Sequence, residues 1–162
     1  MQPVTPPPGP AHPQAPAPAP APAPRHRAAR LLRWLWIAGF AVGTTTHVAD
    51  LVVGGADAYA GFHPALRAFW ISLTLWDPLV IVLLLLRRRA GVALGLVVIL
   101  ADIAVNWSVV AVVGGIPVWG AVNQTAFAAL LLASARPLAR WFAHDRPTPG
   151  PDRHRDSGPG QT

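Results

Sequence analysis

Residues 68–86 are nineteen consecutive, mostly apolar positions, and Arg87, Arg88 and Arg89 follow without a break. At about 1.5 Å of rise per residue, a helix of that length reaches about 28 Å, close to the hydrocarbon thickness of a bilayer. A run that apolar reads as a membrane span, and a basic cluster at one end reads as its cytoplasmic side. Asp77 sits near the middle of the run and Pro78 follows it. Hydrophobicity does not account for that carboxyl.

The rest of the chain agrees with this reading. It has 162 residues, a length suited to one domain, and only 12% of them are charged. A soluble domain carries about 25% charge. The net charge is +6, and all thirteen basic residues are arginine. The arginines flank apolar runs and do not form a stripe with interleaved aromatics. That pattern points away from nucleic acid and toward anionic lipid headgroups as partners on the cytoplasmic side. The chain has no cysteine, which removes disulfides, thiolate metal sites and cysteine redox chemistry.

Four apolar segments are expected to span, at about 31–53, 68–86, 90–113 and 117–135. Residues 1–28 hold an Ala-Pro alternation from Ala15 to Pro24 and are expected to be a disordered cytoplasmic tail. Residues 29–136 then form the transmembrane domain, 137–144 an interfacial segment and 145–162 a second disordered cytoplasmic tail. The arginine triplet joins the second and third segments, and Gly114-Gly115-Ile116 joins the third and fourth. Connections this short make successive helices antiparallel neighbours. The expected fold class is all-α: an integral-membrane, up-down-up-down four-helix bundle with disordered termini.

Orientation follows from the arginines. With four spans and both termini cytoplasmic, twelve of the thirteen fall on one side and only Arg67 on the other. The Ala, Arg and Pro bias resembles that of a high-GC bacterium, so the plasma (inner) membrane is the expected location. Trp34, Trp36 and Trp141 are expected at the inner boundary and Trp70 and Trp119 at the outer one, with Trp107 somewhat deeper. Trp76 falls at mid-membrane. The competing reading is a signal peptide in segment one, cleaved near Ala56-Asp57-Ala58 or Ala58-Tyr59-Ala60, which would leave three spans.

Polar groups inside spans are costly and mark candidate sites. Measured from the outer end at about 1.5 Å per residue, Asp50 lies about 5 Å deep, His47 about 9 Å, Asn106 and Gln124 about 10 Å, Asp77 about 14 Å and Asp102 about 16 Å. All are in the outer half, which predicts one polar cluster hydrated from the outer face. The candidate ligand-binding residues are His47, Asp50, Trp76, Asp77, Asp102, Asn106, Asn123 and Gln124. His47 and Asp50 are one turn apart, as are Asp102 and Asn106. Gly39/Gly43 and Gly91/Gly95 are GxxxG pairs that permit close helix packing on the same stripes. Pro78 has no N–H, so the Thr74 carbonyl loses its helical partner. Each polar residue also has a structural reading: protonated carboxyls, or hydrogen-bonding glue between helices, above all for Asn123 and Gln124.

His47, Asp50, Asp57 and His63 are weak metal candidates whose spacing matches no strong signature, and no metal or other cofactor is assigned. One histidine within a span argues against a haem with two axial histidines. No GxSxG, HExxH or P-loop pattern is present, and catalysis is not indicated. Asp50-Leu51 in the first span, with Asp77 and Pro78 in the second, resembles the emopamil-binding (EXPERA) family of sterol isomerases and related receptors. That resemblance covers about two spans. It implies a pocket for lipophilic amines, or for a stabilised carbocation, in which Asp50 and Asp77 take part. The expected function is thus binding of a small or lipophilic cationic ligand. The alternatives are a proton- or cation-coupled transport component acting as a homo-oligomer, and a structural or accessory subunit.

Overall fold

A computed structural model describes residues 24–144. Helix α1 spans Pro24–Gly54, α2 Pro64–Leu85, α3 Arg89–Ser108 and α4 Val118–His144. A 3-10 turn at Gly55–Asp57 follows α1, and a π turn at Val109–Val113 extends α3. All four helices are long and apolar enough to cross a membrane. Val42, Leu75, Val97, Val112 and Leu132 point outward and are exposed. An apolar surface spread over every helix suits lipid better than water.

Helices α1, α2 and α3 begin before their apolar runs, and α4 ends well after its own. The expected disordered tail 1–28 gives way to α1 at Pro24, and residues 1–23 and 145–162 lie outside the described residues. Proline is tolerated in the first helical turn, where its missing N–H has no partner to lose. The expected interfacial segment 137–144 is simply the last part of α4, which continues through Pro137. Helix α2 likewise continues through Pro78. Gly114 and Gly115 take positive φ angles of 74° and 82° in the link between α3 and α4, which is why two glycines stand there.

The helices pack in a closed ring, α1 on α2, α2 on α3, α3 on α4 and α4 on α1, with the α1–α4 seam the sparsest. At one end, the Arg33 guanidinium lies 5.9 Å and the Arg87 guanidinium 5.0 Å from the centre of the Trp141 ring. Arg89 Nε donates to the Ala139 carbonyl at 3.2 Å. These contacts gather the start of α1, the α2–α3 turn and the end of α4. At the other end, Tyr59 and Phe62 of the α1–α2 loop pack on Trp70, with ring centres 5.1 and 4.9 Å apart.

The buried apolar residues form one core cluster; toward the arginines Trp36, Leu84, Leu131, Leu138 and Phe142 are almost completely buried, and toward the loop Leu73 and Val109 are. Two of the tryptophans expected near the boundaries, Trp36 and Trp70, point into the core. Trp36 donates Nε1–H to Ser134 Oγ at 2.9 Å, and Trp70 donates to Asn106 Oδ1 at 2.9 Å. An indole with a hydrogen-bond partner on a facing helix is as comfortable inside as at an interface.

Candidate functional site

The polar residues separate into three groups. The first is a closed network between α3 and α4. Asn106 Nδ2 donates to Asp102 Oδ1 at 3.0 Å and to Gln124 Oε1 at 2.7 Å, and Gln124 Nε2 donates to Asp102 Oδ2 at 2.7 Å. Trp70 of α2 completes the network by donating to Asn106. The Asp102–Asn106 bond follows from their one-turn spacing, which stacks the side chains on one helical face. Both carboxylate oxygens of Asp102 therefore have amide donors.

The second group lies at the loop end. The Tyr59 hydroxyl donates to Asp50 Oδ2 at 2.7 Å and sits 3.4 Å from His47 Nδ1. Tyr59 holds a positive φ of 59°, an uncommon conformation for a bulky residue, and it is fixed by Asp50 and by the Trp70 ring. Burial, and then the hydrogen bond to Asp50, push the Tyr59 phenol well above its ordinary pKa, so it remains a donor at neutral pH. Arg67 caps the same loop by donating to the Ala56 carbonyl.

The third group is Asp77 alone. Its residue exposure is 5%, and among the described residues its carboxyl has no hydrogen-bond partner. It packs against Gly43 of α1: a Cβ built there would lie 2.7 Å from Asp77 Oδ2. The carboxyl lines a cavity of about 390 Å³ together with Phe40, His47, Val98, Asp102, Gln124 and Phe127. Phe127 sits in the notch left by Gly39, edge-on to Phe40 with ring centres 5.6 Å apart. The GxxxG pair of α1 thus does two things. Gly39 admits an aromatic ring from α4, and Gly43 admits the carboxyl from α2.

A second cavity of about 310 Å³ adjoins the first on the loop side and includes Asp50, Tyr59, Trp70 and Asn106. The two share Thr46, His47, Gly120 and Gln124. Seven of the eight expected site residues thus line one or the other. Trp76 does not: it points outward, 41% exposed, because its neighbour Asp77 takes the inward direction on the helix. Asn123 stands exposed at the rim of the larger cavity and makes no hydrogen bond among the described residues, contrary to its expected role as glue.

The four metal candidates do not assemble. Among the described residues no group of three or more His, Cys, Asp or Glu side chains is placed to hold an ion. Asp57 is exposed in the 3-10 turn, and His63 caps α2 by accepting from the Ala65 N–H at 3.3 Å.

Sequence reasoning passed over Phe40, Phe127 and Tyr59. The signal for the first two was present: Phe40, Gly43 and His47 share one stripe, and Phe127 is one turn beyond Gln124. Tyr59 carries no such signal, because it lies in a loop. No protein family, curated protein or solved structure matches this chain.

Proposed function

We propose that the chain is a multi-pass protein of the bacterial plasma (inner) membrane, an antiparallel four-helix bundle with both termini cytoplasmic, whose outer-half cavity binds a small lipophilic cation. The observation that carries this reading is the Asp77 carboxyl: buried, without a hydrogen-bond donor, and facing a cavity of about 390 Å³ with Phe40 and Phe127 in its wall. A carboxylate in an apolar site needs a counter-charge, and aromatic faces add attraction for a cation. The cavity volume is within the range of small-molecule sites, about 300–1,000 Å³. The resemblance to the emopamil-binding family on Asp77 and Pro78 points the same way. Asp50 departs from what that resemblance implies, since Tyr59 already engages it.

The orientation rests on the positive-inside rule, with the Arg33, Arg87 and Arg89 end in the cytoplasmic leaflet against anionic headgroups. Asp102 has a separate role, as the centre of the network that ties α3 to α4. The structural reading is therefore favoured for Asp102, Asn106, Gln124 and Trp70, and leaves Asp77 unexplained.

The test is binding of N,N-dimethyldodecylamine to purified protein in nanodiscs, with dodecanol as the uncharged control. The amine binds and dodecanol does not. Asp77→Asn abolishes amine binding while the protein remains folded, as judged by its helical circular dichroism and its melting temperature. Equal binding of the amine by wild type and Asp77→Asn would remove the proposal.

A further inference from the structure

The Asp77 cavity has walls of two kinds. Its back is buried: Asp77 of α2 and Val98, Ile99 and Asp102 of α3, with Phe40 and His47 of α1 beside them. Its rim is exposed and comes only from α1 and α4: Val42, Thr46, Gly120 and Asn123. A cavity with that distribution opens sideways, through the α1–α4 seam. Toward the arginine end the seam is shut, by Phe127 seated against Gly39 and then by the Trp36–Ser134 hydrogen bond. At Gly120 there is open space beside α4: a Cβ added there would meet nothing within 4 Å.

The axial way in from the loop is different. It passes Tyr59, which is tied to Asp50 and stacked on Trp70, and then the neck at His47 and Gln124. Gln124 is held by Asn106 and Asp102. Every large side chain along that route already has a partner. The lateral rim presents the opposite case. Val42 is 67% exposed, and the Asn123 amide has no hydrogen bond among the described residues. An amide facing acyl chains without a partner is unfavourable, and a polar headgroup passing or resting there would relieve it.

Building on the cation-binding reading, we infer that the ligand is an amphiphilic amine that reaches Asp77 from within the bilayer, between α1 and α4. Its ammonium head lies against Asp77, and its apolar body leaves past Phe127 and Val42 into the lipid. The Thr46 hydroxyl donates to the Val42 carbonyl at 3.0 Å, which leaves its oxygen free to accept from the ammonium head at the rim.

The absence of cysteine from the chain makes a direct test possible. Asn123→Cys places one thiol at the lateral rim, and Pro117→Cys places one beside the loop-side cavity. Each is reconstituted in nanodiscs and assayed for N,N-dimethyldodecylamine association before and after labelling with pyrene maleimide. Each unlabelled variant serves as its own folding control. Labelling at 123 is expected to slow association by about tenfold or more, and labelling at 117 by less than about twofold. The reverse pattern would establish the axial route and overturn the inference. So would association unaffected by either label while Asp77→Asn still abolishes binding. Binding that is indifferent to Asp77→Asn would instead sink the cation-binding reading itself, which the two labels do not address.

Discussion

The arginine half and the loop half of the helical ring use the same fastening and arrive at different interiors. In the first, Trp36 of α1 donates to Ser134 of α4; in the second, Trp70 of α2 donates to Asn106 of α3. Around Trp36 the α1–α4 seam is filled by Leu131, Leu138 and Phe142, and a fully buried side-chain polar atom without a hydrogen bond among the described residues, Arg33 Nε, lies at this end. In the loop half Gly43 of α1 and Gly120 of α4 line the larger cavity, which has an acid on its wall. The difference lies in side-chain volume on α1 and α4 more than in polarity. Hydrogen bonds hold both halves together, and only small residues leave room for a guest.

This contrast can be broken by substitution. The largest effect belongs to the dry half. Trp36→Ala removes a fully buried indole and its bond to Ser134, and should cost about 3–5 kcal/mol of unfolding free energy in a detergent titration. In the loop half, Asn106→Leu strands the Trp70 donor and removes one of the two amides on Asp102. A loss of about 1–3 kcal/mol is expected by the same measurement. Gly95→Val tests the border between the halves, because its first added carbon would already lie 3.1 Å from Trp36 and 3.2 Å from Phe40 and Val80. Overpacking of that kind should lower stability by about 1–3 kcal/mol.

Asp77→Asn should behave differently from all three, with a stability change under about 1 kcal/mol, because no hydrogen bond is broken. A larger loss would mean that Asp77 holds helices together. The smallest effect is expected for Trp76→Leu, within about 0.5 kcal/mol, since that ring faces outward beside an acid that faces in.

Much of this was readable from the chain, and the remainder failed for definite reasons. Apolar length alone located the four helices, because spans must satisfy their backbone internally and so cannot be irregular. The matching depths of His47, Asp77, Asp102 and Gln124 anticipated that they line one cavity. Depth does not report azimuth at a pair of adjacent residues, where successive side chains diverge by about 100°. Hence Asp77 and Trp76 do not both face inward, whereas Gln124 and Asn123 reach the same cavity from its wall and its exposed rim. That Trp36 and Trp70 turn into the bundle was not legible, because an amphipathic ring suits an interface and a hydrogen-bonded core equally. The π turn at Val109–Val113 left no trace in a run of valine and alanine.

The missing methyl at Gly43 has a mechanical consequence. With Asp77 Oδ2 seated where that carbon would be, α1 and α2 are keyed together at one residue: sliding α1 by a single position would drive Thr44 or Val42 into the carboxyl. Whatever displaces the acid must also disengage the key, so occupancy beside α2 would be felt along α1 as a change of register.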